Sequence, residues 1–269
     1  MRYFITLSYD GTRYHGWQVQ PNGISVQGEL QRALSLLLRQ DIQVTGAGRT
    51  DTGVHARMMV AHFDLPDDEA GCHGDDAHNS GRPCPYTQLA YKLNRLLPRD
   101  IAIQKIEQVA EGMHARFSAT SRTYRYFIHT GKEPFLRHYS WQTHYALDFP
   151  LMNEAAAMLL EYDDFGAFCK SHTDVKTTIC HITHAQWHQV AQEDSKSPTT
   201  TGEWYFEITA NRFLRNMVRT VVGTLIEVGR HRLSLQEFRK VIEGKKRSEA
   251  GESMPANALF LENICYPNS

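Results

Sequence analysis

The chain has 269 residues, of which 41% are hydrophobic and 22% charged, with a formal net charge of −1. This length suits two packed sub-domains, and the composition is that of an ordinary globular protein, which excludes a disordered or fibrous chain. No apolar run is long enough to span a bilayer, no secretory leader pattern opens the chain, and five scattered cysteines (Cys72, Cys84, Cys169, Cys180, Cys265) imply no disulfide framework, so a cytoplasmic protein without membrane contact is expected.

Residues 3–9 are rich in aromatic and β-branched side chains and predict a strand, closed by the turn signal Asp10-Gly11. Ser25 stands as an N-cap ahead of Leu30, Ala33, Leu34, Leu37 and Leu38, which share one helical stripe. Residues 43–46 predict a short strand, and Met59, Ala61 and Phe63 alternate on another. Residues 64–85 are acidic, rich in Gly, Asp, His and Pro and without period, and predict a mobile surface loop. Tyr86, Leu89, Ala90, Leu93, Leu96 and Leu97 mark a second helix that Pro98 ends; residues 101–109 predict the next strand.

The second half repeats the alternation. Residues 120–130 predict a long strand with Tyr124, Tyr126 and Ile128 on one face and Arg125 on the other. Residues 151–162 predict a helix. Residues 182–190 and 204–210 predict strands separated by a polar loop over 192–202. Phe213, Met217, Val221 and Leu225 mark a helix, Ser234 and Glu237 form a capping box for a last helix ending at Gly244, and residues 259–266 predict a closing strand. Some strands follow one another with no helix between them, so the class is α+β: two similar sub-domains with antiparallel sheets and helices on one face, divided into 1–108 and 109–269.

Net charge hides a polarised distribution. Residues 212–247 hold ten Lys or Arg against Glu227, Glu237 and Glu243, whereas residues 64–76 hold six acidic residues and no Lys or Arg. Such polarity suits steering of a polyanion, and it equally suits a solvated helical face.

The densest chemistry-bearing stretch is Gly46-Ala47-Gly48-Arg49-Thr50-Asp51-Thr52-Gly53-Val54-His55-Ala56. Three glycines in eight positions permit positive φ and close backbone approach. An arginine two residues before an aspartate offers a phosphate or base contact beside a carboxylate. By composition alone the stretch reads equally as a glycine-rich connection with both charges solvated.

Gly48 to Ala56 resembles the signature of the tRNA pseudouridine synthase A family. The resemblance continues through Tyr9-Asp10-Gly11-Thr12, Tyr14-His15-Gly16-Trp17-Gln18, Leu97-Pro98-Arg99-Asp100-Ile101, Ala115-Arg116-Phe117-Ser118-Ala119-Thr120, Arg122-Thr123-Tyr124-Arg125-Tyr126, Phe213-Leu214-Arg215-Asn216-Met217-Val218-Arg219 and Leu259-Phe260-Leu261. These run in the family's order over nearly the whole chain. The resemblance implies ferredoxin-like/RRM-like sub-domains whose sheets join into one extended sheet. It also implies isomerisation of uridine to pseudouridine in the tRNA anticodon stem-loop (tRNA positions 38–40) by a homodimer.

That reaction breaks the bond from uracil N1 to ribose C1′, turns the base and joins C5 to the sugar. No electrons are lost or gained, so neither a cofactor nor a small-molecule partner is expected. The resemblance makes Asp51 the nucleophile; attack at ribose C1′ and addition to the base both remain open. It makes Arg219 the cation that pairs with that carboxylate, and Tyr124 the aromatic that stacks on the extruded uracil and assists proton transfer at C5. Arg49 would enter the space left by the flipped base, Leu261 would help exclude water, and Arg215 would contact RNA. Thr52 and Ala258 depart from the family's usual alanine and glycine.

No metal is expected. Cys72, His73, His78 and Cys84 match no standard zinc spacing, and His181, His184 and His188 do not all share one strand face. A non-catalytic RNA-binding module is the competing reading. A carboxylate-dependent glycosidase would need a second acid or base that no motif supplies.

Overall fold

The computed structural model describes residues 1–66, 85–170, 176–190 and 202–267. Most of the acidic 64–85 segment with its Cys/His group, and most of the 192–202 loop, lie outside the described residues. The chain forms two compact units, Met1–Thr120 with Asn263–Ser269, and Ser121–Glu262.

In the first unit, β1 (Arg2–Tyr9) is flanked by β3 (His55–Asp64) and β4 (Ile101–Val109), antiparallel to both. The short β2 (Thr45–Gly46) lies on the other edge of β3. The order β4-β1-β3-β2 is that of a ferredoxin-like βαββαβ unit. Tyr3, Ile5, Leu7 and Tyr9 alternate as buried residues along the central strand, as a period of two requires. Helix α1 (Val26–Leu38) starts where the Ser25 hydroxyl accepts the Gly28 N–H at 3.2 Å, and it buries Val26, Leu30, Ala33 and Leu34. Helix α2 (Pro85–Leu96) is tied to β4 by Asn94, whose side-chain amide both donates to Ile103 O (2.8 Å) and accepts from Ile103 N (2.7 Å).

The second unit repeats the plan. β5 (Ser121–Thr130) pairs antiparallel with β8 (Glu203–Ala210), which pairs antiparallel with β7 (Ile182–Gln189). β9 (Leu259–Cys265) neighbours β5, so the order β9-β5-β8-β7 reproduces that of the first unit. Helix α3 (Phe149–Met158) packs on β7, and its Asn153 exchanges two hydrogen bonds with the Trp187 backbone as Asn94 does with Ile103. Each anchor ties a helix to the strand that follows it, but at different places in the two units, so the shared strand order is what makes the units similar. The α+β class with antiparallel pairing read from the sequence is observed.

Three local readings change. The 151–162 helix ends at Met158 and tightens into a 3₁₀ turn over Leu159–Glu161. The helix read from Phe213 starts only at α4 (Met217–Gly229), because Asn216 adopts a left-handed φ of 67° that α-helix cannot continue through. The three-residue β6 (Trp141–Thr143), parallel to β5, carries too short a pattern to read. The capping box of α5 (Leu235–Gly244) forms as expected, with Ser234 and Glu237 bonded reciprocally.

One core group makes the first unit pH-sensitive. The buried His62 ring accepts the Ala115 N–H at Nδ1 (3.2 Å) and meets His114 edge-on. Burial, followed by the charges of Arg2 and His114, pushes its pKa down to about 4. The unfolded chain binds this proton near pH 6.5, so stability is full above that value and falls as pH drops toward 4. Between pH 7.5 and pH 5 the loss from this residue is about 2 kcal/mol. Urea unfolding at the two pH values should show that loss, and His62→Gln should reduce it.

Candidate active site

Asp51 sits on the connection from β2 to β3, and the sequence around it is bound to the 9–17 segment by hydrogen bonds. Trp17 N donates to Thr50 O (3.3 Å) and Gly53 N to Tyr14 O (3.3 Å), while Ala47 N donates to Val60 O of β3 (2.8 Å). The Tyr9 and Thr50 hydroxyls share a buried bond of 2.9 Å. Asp51 itself opens a turn closed by Val54 N donating to Asp51 O (3.1 Å), with Gly53 at φ 79° in the third position, as a type II turn demands. After the turn, His55 Nδ1 accepts the Gly11 N–H at 3.0 Å. The half-buried Asp51 carboxylate is thus presented by a backbone fixed before and after it, while Arg49 stands exposed on the same loop.

The glycines follow from this lacing. A Cβ on Gly11 would lie 2.0 Å from Val54 O, and one on Gly16, whose φ is 85°, would lie 2.3 Å from Thr50 O. Gly46 packs against the Trp17 indole. A Cβ on Gly48 meets nothing within 4 Å, so packing does not demand glycine there. Asp100 anchors the facing segment by accepting from Arg13 Nε (2.7 Å) and the Tyr14 hydroxyl (2.6 Å). Burial and that carboxylate raise the Tyr14 pKa and keep the phenol protonated. Asp100, His55 and Thr50 are supports the residue pattern alone does not assign; only their neighbourhood to the family motifs points to them.

Tyr124, Arg215, Arg219 and Leu261 belong to the second unit. Tyr124 is half-buried on β5 with its ring edge-on to Phe213 at 5.1 Å. Arg219 lies in the first turn of α4 among the buried Val218, Val221 and Val222, and is itself half-buried. Its Nε donates to Met254 O, and its own carbonyl accepts Met254 N–H at 3.2 Å. The 250–254 segment therefore clamps the guanidinium. Gly223 permits this contact, since a Cβ there would fall 1.9 Å from Glu252 O. Gly223→Ala should push that segment off α4 and cost about 2 kcal/mol in urea unfolding. Leu261 is fully buried on β9, and Arg215 is exposed with its carbonyl bonded to Lys170 N (3.1 Å).

The basic 212–247 stretch is largely engaged within the protein. Arg230 (2.8 Å) and Arg232 (4.0 Å) both reach Glu227, Arg239 reaches Glu161 (3.3 Å), Lys245 reaches Asp164 (2.7 Å) and Lys246 reaches Glu249 (3.2 Å). Its charge is thus paired locally, which is the solvated-face reading of that tract.

The chain thus holds two ferredoxin-like units of an α+β protein, the first carrying the laced Asp51 loop and the second carrying Tyr124 and the clamped Arg219. The family model described as tRNA pseudouridine synthase matches residues 5–118 and 155–267, and the chain belongs to that family. The chain is 54% identical to tRNA pseudouridine synthase A of Bacteroides fragilis over 266 residues, 99% of this chain and 96% of the relative. It is 38% identical to the protein of the same name from Bacillus subtilis, over the full length of both. Among solved structures, a CRISPR endoribonuclease bound to RNA aligns with a TM-score of 0.21 at 10% identity over 85% of this chain and 97% of that one, which carries no argument. Among the described residues, no helix is long and apolar enough to cross a membrane.

Proposed function

We propose that the protein converts uridine to pseudouridine in the tRNA anticodon stem-loop, at positions 38–40, with Asp51 as nucleophile and no cofactor. The observation that carries this reading is Asp51 itself, held on a loop bonded on both sides by the 9–17 segment within a chain that matches the family along its length. In the net reaction the C1′–N1 bond breaks, a C1′–C5 bond forms, C5 loses its proton to solvent and N1 gains one. Tyr124 stacks on the extruded uracil, Arg219 is the counter-charge for the reacting carboxylate, Arg49 fills the space the base leaves, Arg215 contacts RNA and Leu261 keeps water away. The catalytic loop is assigned to the N-terminal part of the chain and Tyr124, Arg219 and Leu261 to the C-terminal part. The working form is a cytoplasmic homodimer.

The site of modification is tested by incubating unmodified tRNA transcripts with the protein and mapping pseudouridine by carbodiimide adducts that stop reverse transcription. Stops confined to positions 38–40 are expected. Stops elsewhere would remove the anticodon assignment, and none at all would favour a non-catalytic RNA-binding module.

A further inference from the structure

The second unit carries a cluster that the reaction does not use. On β7, His184, Gln186 and His188 alternate onto one sheet face, and Gln186 stands opposite Glu207 of β8. The two imidazoles therefore flank the carboxylate on its two diagonals. Their rings are nearly parallel with centroids 6.0 Å apart, and His184 Nε2 lies 3.5 Å from Glu207 Oε1. One donor atom from each of the three residues lies within 4.8 Å of the others, the one such group of His, Cys, Asp or Glu among the described residues.

Two further observations point to a ligand. His184 Nε2 is buried and makes no hydrogen bond, its contact with Glu207 Oε1 being 3.5 Å long, and a buried nitrogen without a hydrogen bond is costly. Glu207 is also held for a second partner. Arg125 Nε takes its Oε2 at 2.6 Å, which leaves Oε1 turned toward His184. The same guanidinium reaches Glu262 at 3.2 Å, so one cation between two carboxylates leaves the cluster net negative. His188 is fixed by stacking on Tyr205 at 5.1 Å, whose ring also lies 4.8 Å from the Arg125 guanidinium. Outer partners that orient a ligating carboxylate and imidazole in this way are the usual support of a metal ligand set.

We propose that His184, His188 and Glu207 bind a zinc-class divalent cation, with a fourth position open to water. Two imidazoles and one carboxylate are a borderline-soft donor set that suits zinc, nickel or cobalt, whereas magnesium and calcium prefer oxygen donors alone. Tetrahedral donors about 2.1 Å from the ion lie about 3.4 Å apart, a separation these side chains reach by small rotations. The bound ion ties β7 to β8 and takes the lone pair of the buried His184 nitrogen.

The test is zinc titration of the metal-stripped full chain by calorimetry, comparing the native protein with His184→Gln, His188→Gln, Glu207→Gln and, as a control, His181→Gln. His181 lies outside the cluster, beside Asp163. Circular dichroism establishes that each variant is folded. The native protein and His181→Gln should bind one zinc equivalent that weakens at least about tenfold in each of the other three. Absence of zinc binding by the native protein up to millimolar zinc would overturn the site. Native-like binding by both His184→Gln and His188→Gln would overturn it as well.

Discussion

Asp51→Ala and Asp51→Asn should bind unmodified tRNA about as tightly as the native chain while forming pseudouridine at least about 10⁴-fold more slowly in single-turnover assays, the scale on which removal of a nucleophile acts. The split between binding and turnover follows from where Asp51 sits. Its backbone is held by Val54, and its neighbours by Tyr9, Tyr14 and Trp17, so trimming the side chain leaves the loop bonded as before. RNA affinity depends on phosphate and base contacts that the carboxylate does not make. Asp51→Asn keeps the shape and removes only the charge, and it separates a nucleophile from a space-filling residue. Turnover by Asp51→Asn within tenfold of native would show that another group performs the attack.

Gly16→Ala is the second large effect, and it acts through the backbone. Its φ of 85° is strained for any side chain, and the added Cβ would stand 2.3 Å from Thr50 O and 3.2 Å from the Asp51 carbonyl carbon. Neither atom is the end of a flexible side chain, so the Thr50–Asp51 peptide must move. The expected cost is about 3 kcal/mol in urea unfolding from strain and overpacking together. A displacement near 1 Å at Asp51, the proposed nucleophile, should lower turnover about 100-fold further. Gly48→Ala, where a Cβ meets open space, should change stability by less than about 1 kcal/mol. Equal destabilisation by the two variants would mean that glycine flexibility, and not the approach of the 9–17 segment, is what the loop requires.

These two positions show what was legible in the sequence. The Asp51 motif stood out as composition and as a family resemblance, and β4 was readable to its bounds as residues 101–109. That Gly11 and Gly16 exist for the Asp51 loop was not legible, since the contact joins residues over thirty positions apart in sequence. The late start of α4 turned on one left-handed residue, Asn216, that apolar spacing does not reveal. The basic 212–247 tract looked like a surface for a polyanion, but its partners Glu161 and Asp164 lie outside the tract. The three histidines of 181–188 were discounted as not sharing one face. His181 lies ahead of β7 beside Asp163, whereas His184 and His188 stand together around a glutamate that only strand pairing brings near.

The family's chemistry makes one direct demand on the substrate, because C5 of the target uracil must lose its hydrogen when it bonds to the sugar. Release of tritium from unmodified tRNA labelled at uracil C5 therefore tests the central claim most directly. The native protein is expected to release one tritium for each pseudouridine formed, without added metal or cofactor. Tight tRNA binding with no tritium released would contradict it, and would leave a protein that holds the anticodon arm without rearranging it.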